Sequence, residues 1–244
     1  MTLPTQSHST ATSVIADNSS SFATLLLGID TCGPTGSVAL GRLTGQSVEI
    51  LGQIELEGRS YSSTLVAAVG EVLAQAGIQL REVGCIVVVN GPGSFTGVRV
   101  GLSAVKGLTE ATQIPVVVVS RLEVLAGKAQ TSLAALDAHR QEVFLRLDEA
   151  DGSAKESLAG KTELAAIRPA RVAVCDDAAE FLLKAVWPEA ELVRTTAPTA
   201  AEALELCGPR VAGGEFADVA LLDGHYLRRS DAEIFGEPVA PQSK

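Results

Sequence analysis

A glycine-rich segment carries the clearest chemical potential in this sequence. The stretch NGPGSFTGVRVGLSAVKGL, residues 90–108, follows an apolar, β-branched run and opens a segment typical of a helix. A loop of this kind exposes backbone N–H groups beside the positive end of a helix, and together they can hold a phosphate. The residues that would form this glycine-rich loop are Gly91, Gly93, Ser94, Gly97 and Arg99.

The same glycines are also compatible with a structural role. Their spacing is GxGxxxG, not the GxGxxG of dinucleotide-binding proteins, and Val98 and Arg99 stand where a P-loop requires Lys and Ser or Thr. Glycine allows a tight turn and the close approach of a neighbouring segment. An anion loop and a packing device therefore both remain open. Ser94 has no histidine near it in sequence, so we interpret it as a turn or cap residue.

A second candidate site is the short loop after Asp30. The run LLLGID ends at this aspartate, and TCGPTG then turns the chain into a second apolar run. Such a hairpin can hold nucleotide phosphates through magnesium, but residues 31–36 contain no lysine to balance a triphosphate. A degenerate nucleotide loop formed by Asp30, Thr31 and Gly33 is the favoured interpretation. An aspartate that caps a turn is the alternative.

Motifs for nucleophilic or metal catalysis find little support. The sequence contains no G-x-S-x-G, H-E-x-x-H or HxxxH pattern. Asp137 and Glu142 could form an acid pair, although acidic residues at strand ends more often bond to turns. No CxxC pair occurs, so we expect reduced, mostly buried thiols, no metal and no cofactor. The four cysteines are Cys32, Cys85, Cys175 and Cys207.

Composition and charge limit the partners. The formal net charge is −10, with 19 basic against 29 acidic residues, and aromatic residues make up only 4%. Because nucleic-acid binding relies on Lys, Arg and exposed aromatics, the chain alone should bind RNA poorly. No apolar run approaches the roughly 18 residues of a membrane span. The N-terminus also lacks the basic and apolar regions of a secretory signal, so we expect a cytoplasmic protein without membrane binding.

The elements that would position these loops alternate between strands and helices. Apolar, β-branched or alternating runs predict strands near residues 25–30, 37–43, 48–57, 85–90, 114–120 and 170–177, with a strand pair in 132–148. Helical spacing predicts helices near 65–76, 100–111, 122–130, 178–188 and 199–207, with a weak one at 162–167. This mixture predicts an α/β fold.

One arrangement recurs along the chain. LLLGIDTCGPTGSVAL at 25–40 and SLAALDAHRQEVFLRL at 132–147 each combine an apolar run, a terminal aspartate and a return strand. The repetition suggests two related lobes, which is the plan of the two-lobed actin-like/Hsp70-like ATPase (ASKHA) fold with ribonuclease H-like lobes. The predicted division is a flexible tail at 1–23, a first lobe at 24–111 to which 211–235 would return, a second lobe at 112–210 and a tail at 236–244.

Two of the predicted helices carry few charges. Glu71 is the only charged residue between Ser62 and Ala76, and residues 95–108 carry only Arg99 and Lys106. A surface helix normally has a charged face, so these two are either buried in the core or exposed as a partner-binding surface. The sequence leaves both possibilities open.

Five blocks together resemble the TsaB (YeaZ) family. They are LLLGIDTCGPTGSVAL, GRSYSSTL, GPGSFTGVRVGLSAVKGL, LAALDAHRQEV and GHYLR, which follow the family's order and span residues 25–228. The chain departs from the family at Tyr61, where R-x-H-S has a histidine. It also departs at Gln141 and Phe144, where Gly and Tyr are usual.

The resemblance implies a non-catalytic subunit that binds and activates a TsaD-type threonylcarbamoyltransferase. The product is N6-threonylcarbamoyladenosine next to the anticodon of ANN-decoding tRNAs. A TsaE-type ATPase joins through the complex, tRNA contacts are indirect, and the chain alone forms a homodimer through the same helices. The implied interface residues are Tyr61, Leu65, Val69, Val72, Leu73, Val98, Gly101, Leu102 and Val105.

Two other functions stand as alternatives. The two Asp-bearing hairpins and the glycine-rich loop would suit a stand-alone ATPase or kinase of the actin-like class. Relatives of this fold were once described as glycoproteases, which suggests a peptidase, but the missing metal-ligand motif speaks against it.

Overall fold

The computed structural model describes residues 23–58, 60–149 and 151–228, so the two predicted tails lie outside the described residues, residue 23 apart. The strands are Thr24–Asp30 (β1), Thr35–Thr44 (β2), Ser47–Glu57 (β3), Val83–Val89 (β4), Val116–Val119 (β5), Leu133–Asp137 (β6), Val143–Asp148 (β7), Ala154–Ala159 (β8), Arg171–Val174 (β9) and Glu191–Arg194 (β10). The helices are Tyr61–Gln75 (α1), Phe95–Thr112 (α2), Arg121–Ala129 (α3), Lys161–Ala165 (α4), Asp177–Val186 (α5) and Ala200–Ala212 (α6). Short 3-10 turns occur at Leu80–Glu82 and Val219–Leu221.

The ten strands form two mixed sheets with the same topology. The first has the order β3-β2-β1-β4-β5, and the second has the order β8-β7-β6-β9-β10. In each sheet the first three strands along the chain are antiparallel neighbours, and the last two join in parallel beside the first. The α/β class and the repeated Asp-ended hairpin are therefore confirmed.

Helices cover both faces of the first sheet. Leu40 of β2 pairs with Gly52 of β3, and a Cβ at Gly52 would lie 3.5 Å from Val72 of α1. The next residue of β2, Gly41, would place a Cβ 3.1 Å from Leu204 of α6. Successive residues of a strand face opposite sides. Helix α1 therefore lies on one face, with α2 beside it, and α6 lies on the other.

The second sheet is also covered on both faces. Leu133 and Ala135 of β6 belong to an apolar cluster with residues of α4 and α5. Ala134 and Leu136, which alternate with them, belong to a cluster with residues of α3. Helix α3 also contacts α6, so it packs between the two sheets and joins them.

Several elements depart from the sequence expectations. Strand β5 and most of helix α6 lie within residues 112–210, the range predicted for the second lobe. In the structure, however, β5 is an edge strand of the first sheet and α6 packs on that sheet. Strands β8 and β10, which the sequence pattern did not predict, form the two edges of the second sheet. In the described part of the chain, every helix is too short or too polar to cross a membrane.

Candidate functional site

The two loops singled out in the sequence pack directly against each other. The amide of Ser94 donates to the carbonyl of Cys32 at 2.8 Å, and the hydroxyl of Thr31 donates to the carbonyl of Gly97 at 2.7 Å. A Cβ at Gly93 or Gly97 would overlap the backbone of residues 31–32. The amide of Ser94 in the glycine-rich loop is therefore already bonded within the chain and cannot donate to an anion. This favours the packing role of the loop over anion binding.

The other residues of the glycine-rich loop also have structural roles. Ser94 is the N-cap of α2, and its Oγ accepts from the amide of Gly97 at 3.3 Å, which confirms its interpretation as a cap residue. The carbonyl of Gly91 accepts from the amide of Arg121 at 2.6 Å. The guanidinium of Arg99 lies outside the loop, over the ring of Phe95 at 5.3 Å.

Asp30 is fully buried at the end of β1 and faces a buried cation. Its Oδ1 accepts from the amide of Cys32 at 2.8 Å, and its Oδ2 lies 3.6 Å from Nε of Arg121. Burial disfavours the charged guanidinium, but the negative charge of Asp30 attracts it, and the pKa of Arg121 lies above its ordinary value. The carboxylate therefore holds the turn and balances an arginine, which supports a degenerate nucleotide loop.

Arg121 was missed by the sequence reasoning. It is the first residue of α3 and follows the apolar strand β5, and its side chain is only 7% exposed. A charged residue directly after a buried strand was the available signal. Its partner Asp30 is distant in sequence, so the pairing could not be anticipated from local spacing.

Tyr61 supports the first hairpin loop from the α1 side. Its hydroxyl donates to the carbonyl of Gly33 at 2.8 Å. A Cβ at Gly36 would lie 2.7 Å from the tyrosine ring. Burial, followed by the negative charge of Asp30, raises the pKa of Tyr61, so the phenol stays a proton donor at neutral pH.

The predicted interface side chains face inward. All of the following are buried within the chain: Tyr61, Leu65, Val69, Val72, Leu73, Val98, Gly101, Leu102 and Val105. Gly101 illustrates the reason, because a Cβ there would overlap the Thr31 side chain. In the chain alone these residues lie on the half of each helix that packs on the first sheet, as the core alternative expects. Their contact with a partner stays a prediction.

The opposite half of the two helices is exposed and carries mostly small side chains. We call it the outer α1–α2 face, and its exposed residues include Ser62, Ser63, Val66, Ala67, Gly70, Ala74, Thr96, Arg99, Ser103, Lys106 and Gly107. Val66 is 72% exposed. A groove of ≈ 390 Å³ runs between the helices beside it. Small side chains on such a face allow another helix to approach closely.

A larger cleft of ≈ 1080 Å³ lies between the two sheets. It is lined by both hairpin loops, residues 32–35 and 136–140, and by the glycine-rich loop and Arg121. The two candidate acids of the second hairpin, Asp137 and Glu142, have other partners. Asp137 pairs with His139 at 2.7 Å and accepts from the amide of that residue at 2.8 Å. Glu142 forms an ion pair with Arg228, so turn bonding describes the two acids better than an acid pair.

The segment 223–228 spans both sheets, and we call it the C-terminal brace. On the first-sheet side, the ring of Tyr226 stacks on Phe95 with centroids 5.0 Å apart, and Arg99 lies over the tyrosine ring at 5.3 Å. The amide of His225 donates to the carbonyl of Asn90 at 2.8 Å. On the second-sheet side, Nε2 of His225 lies 2.9 Å from Oε2 of Glu156. The brace thus ties α2 to β8.

Comparisons with known proteins assign this architecture to a family. The family model described as TsaD, tRNA N6-adenosine threonylcarbamoyltransferase, matches residues 50–181, which is more than half of the chain. The structure of YeaZ from Pseudomonas aeruginosa superposes with a TM-score of 0.68 at 27% identity, covering 84% of this chain and 100% of that one. The chain belongs to the family that the TsaD model describes. Within that family, it belongs to the TsaB (YeaZ) family.

Curated relatives carry the same family name. The tRNA threonylcarbamoyladenosine biosynthesis protein TsaB of Haemophilus influenzae is 35% identical over 125 residues, which is 49% of this chain and 51% of the relative. TsaB of Escherichia coli is 32% identical over 125 residues, or 49% and 52% of the two chains. The chain thus matches about half the length of these curated relatives.

Proposed function

We propose that this chain is a non-catalytic TsaB-type subunit, which binds and activates a TsaD-type threonylcarbamoyltransferase through the outer α1–α2 face. The main observation that supports this proposal is the presence of Gly70 and Gly107 on this face. Both are exposed within helices, and a Cβ at either would have no described atom within 4 Å. Glycine in a helix costs about 0.5–1 kcal/mol relative to alanine. The chain's own packing does not require these glycines, whereas a partner helix at close range would.

The interface of the proposal differs from the one first implied by the resemblance. Helices α1 and α2 remain the contact elements, but the contacting side chains are those of the outer face, with Val66 as the apolar centre. Arg99 and Lys106 on the same face would pair with acidic groups of the partner. The chain alone would form a homodimer through this face, in competition with the heterodimer.

A non-catalytic role agrees with the state of the candidate catalytic groups. Asp30 faces Arg121 where a nucleotide-binding aspartate would face magnesium. Ser94 serves as a helix cap, Asp137 contacts the imidazole and the amide of His139, and Glu142 forms an ion pair with Arg228. These contacts support the view that the polar groups at the positions of possible catalytic residues hold loops in place instead.

The wider assignments belong to the same proposal. We regard the two sheets with their helices as lobes of an actin-like/Hsp70-like fold, with β5 and α6 counted in the first lobe. A TsaE-type ATPase would join through the complex, and tRNA would be gripped mainly by other subunits, since the net charge of this chain is −10. The complex would act on tRNA in the cytoplasm.

The alternatives make different predictions. A stand-alone ATPase or kinase of this fold would bind and hydrolyse ATP without a partner. A peptidase would cleave denatured protein with or without added metal. We expect neither activity from the isolated chain, because the groups that would perform the chemistry are engaged as described above.

The test is light scattering coupled to size-exclusion chromatography, with the chain alone and mixed with its TsaD-type protein. We expect a heterodimer, and we expect Val66→Glu to lose it while keeping a native circular dichroism spectrum. Leu221→Glu is the matched control, because Leu221 is 80% exposed and lies outside the outer α1–α2 face. Equal binding by both variants, or no complex with the unmodified chain, would disprove the proposed role of this face.

A further inference from the structure

The guanidinium of Arg121 is the least satisfied polar group in the described core. Its side chain is 7% exposed, and its Nε has no hydrogen-bond partner. The 3.6 Å separation from Asp30 exceeds hydrogen-bond distance. The backbone amide of Arg121 donates to the carbonyl of Gly91, but the guanidinium itself donates to no described residue. A guanidinium has five N–H donors in a planar fork, so a buried one without an acceptor requires an explanation.

The guanidinium lies at the cleft between the two sheets. Arg121 lines the ≈ 1080 Å³ cleft together with the first hairpin loop and the glycine-rich loop. A Cβ at Gly33 would overlap the guanidinium, so any side chain at this position would displace the guanidinium from its place at the cleft. An acceptor that entered the cleft could therefore reach the fork.

The rest of the lining indicates what kind of acceptor would fit. Many of the lining residues are apolar, and they include Leu56, Phe95, Leu136, Ala138, Phe144 and Ala197. Carboxylates from Glu55, Glu57, Asp137 and Asp176 line the same cleft. Arg140 and Arg228 also line it, but Arg140 already has a partner and Arg228 pairs with Glu142. The four acids oppose the several negative charges of a triphosphate more strongly than the single charge of one carboxylate. A ligand with one negatively charged oxygen group and an apolar body would fit, because the charged group could bind the guanidinium of Arg121 and the body could contact the apolar lining residues.

We propose that the cleft binds a small organic carboxylate with an apolar body, held by the guanidinium fork of Arg121. Two parallel N–H···O bonds from guanidinium to carboxylate are short and directional. Asp30 faces Nε of the guanidinium, and its charge would hold Arg121 in place. This site is separate from the outer α1–α2 face, so its existence does not depend on the proposed partner.

The test uses benzoate as the probe, with benzamide as its neutral match. The full chain labelled with ¹⁵N is titrated, and the Nε–Hε resonance of Arg121 is followed by NMR. This resonance is assigned by through-bond correlation to the backbone of Arg121, and the backbone amide of Gly33 is followed in the same spectra so that the charge-conserving variant Arg121→Lys can be titrated as well. We expect saturable movement with benzoate and none with benzamide. Arg121→Lys, which keeps a positive charge opposite Asp30, should bind benzoate about tenfold more weakly because lysine has no fork.

Several results would overturn the proposal. An unmoved Arg121 resonance in benzoate would do so, as would equal responses to benzoate and benzamide. Inorganic phosphate or magnesium–ATP binding more tightly than benzoate would refute the carboxylate class. If Arg121→Lys fails to fold, the titration of the unmodified chain against benzamide still decides the question. Loss of partner binding in the light-scattering experiment would leave the result of this titration unaffected.

Discussion

Nε of Arg121 lies 3.6 Å from Oδ2 of Asp30, and both side chains are buried at the junction of the first hairpin loop and α3. This ion pair joins the end of β1 to the first residue of α3. A buried ion pair adds little net stability, because both charges lose their hydration. Removing one partner is far more costly, because the other charge is then buried without compensation.

We therefore predict that Asp30→Asn destabilises the chain by about 3–5 kcal/mol. The asparagine can still accept from the amide of Cys32, so the loss reports the uncompensated Arg121 rather than the turn. Urea unfolding followed by circular dichroism measures the change. The double variant Asp30→Asn/Arg121→Met is the control, and it should recover most of the lost stability. A single variant as stable as the unmodified chain would show that the pair is not needed to balance charge.

The sequence predicted the local elements better than their contacts. Strands β1 to β4 and β6 are strongly apolar or alternating, so their patterns were clear. Strands β8 and β10 were missed because their sequences give little signal. AKESLA at 154–159 has no alternation, and ELVR at 191–194 is short with a charged residue at each end. The return of α6 to the first sheet depends on long-range packing, which spacing along the chain does not record.

The candidate site shows the same limit. Asp30 and the glycine-rich loop were identified from their residue types, and the structure brings them together. Which half of a helix faces the core was not decided by the sequence, because α1 and α2 carry apolar or small residues on both sides. Val66 and Leu65 are neighbours of similar hydrophobicity, yet one is 72% exposed and the other 2%. Only the position of the sheet distinguishes them.

The contact between the C-terminal brace and β8 should make stability depend on acid pH. Burial raises the pKa of Glu156, but bonds from His225, Ser120 and Arg146 outweigh it and hold the pKa below its ordinary value. A depressed carboxyl pKa contributes stability that is present above the unfolded value of about 4.3 and is lost as pH falls through the folded value. We predict that Glu156→Gln removes this part of the acid dependence.

The measurement is urea unfolding of both chains at a series of pH values between neutral and strongly acid. The unmodified chain should lose stability below about pH 4.3 more steeply than Glu156→Gln does. Glu189→Gln is the control, because that glutamate is exposed and forms no ion pair with a described residue. Parallel pH profiles for the unmodified chain and Glu156→Gln would contradict the prediction.

The stacked rings of Phe95 and Tyr226 should couple the brace to α2. Their centroids lie 5.0 Å apart with an interplanar angle of 9°, and Arg99 lies 5.3 Å from each ring centre. Aromatic pairs contribute about 0.5–1.5 kcal/mol beyond area burial. A double-mutant cycle of Phe95→Ala and Tyr226→Ala should therefore give a coupling free energy of about 1 kcal/mol. A cycle of Phe95→Ala with Leu221→Ala should give none, and equal values in both cycles would refute a specific stack.

Two glycines of the same helix should respond to alanine in opposite directions. A Cβ at Gly97 would overlap the carbonyl of Thr31, whereas a Cβ at Gly107 would meet no described atom within 4 Å. Gly97→Ala must push the hairpin loop away from α2, and we predict a loss of about 1–3 kcal/mol from overpacking. Gly107→Ala should instead stabilise the isolated chain by about 0.5–1 kcal/mol, because alanine favours the helix.

The same substitution connects stability to the proposed partner. If Gly107 admits a partner helix at close range, Gly107→Ala should weaken heterodimer formation while it raises the midpoint of thermal unfolding of the chain alone. Gly45→Ala is unsuitable as a control because its φ is +63°. Ala111→Ser is suitable, because the residue is exposed near the end of α2 and the change is small. A Gly107→Ala variant that gains stability and keeps full partner affinity would place the partner contact elsewhere on the surface.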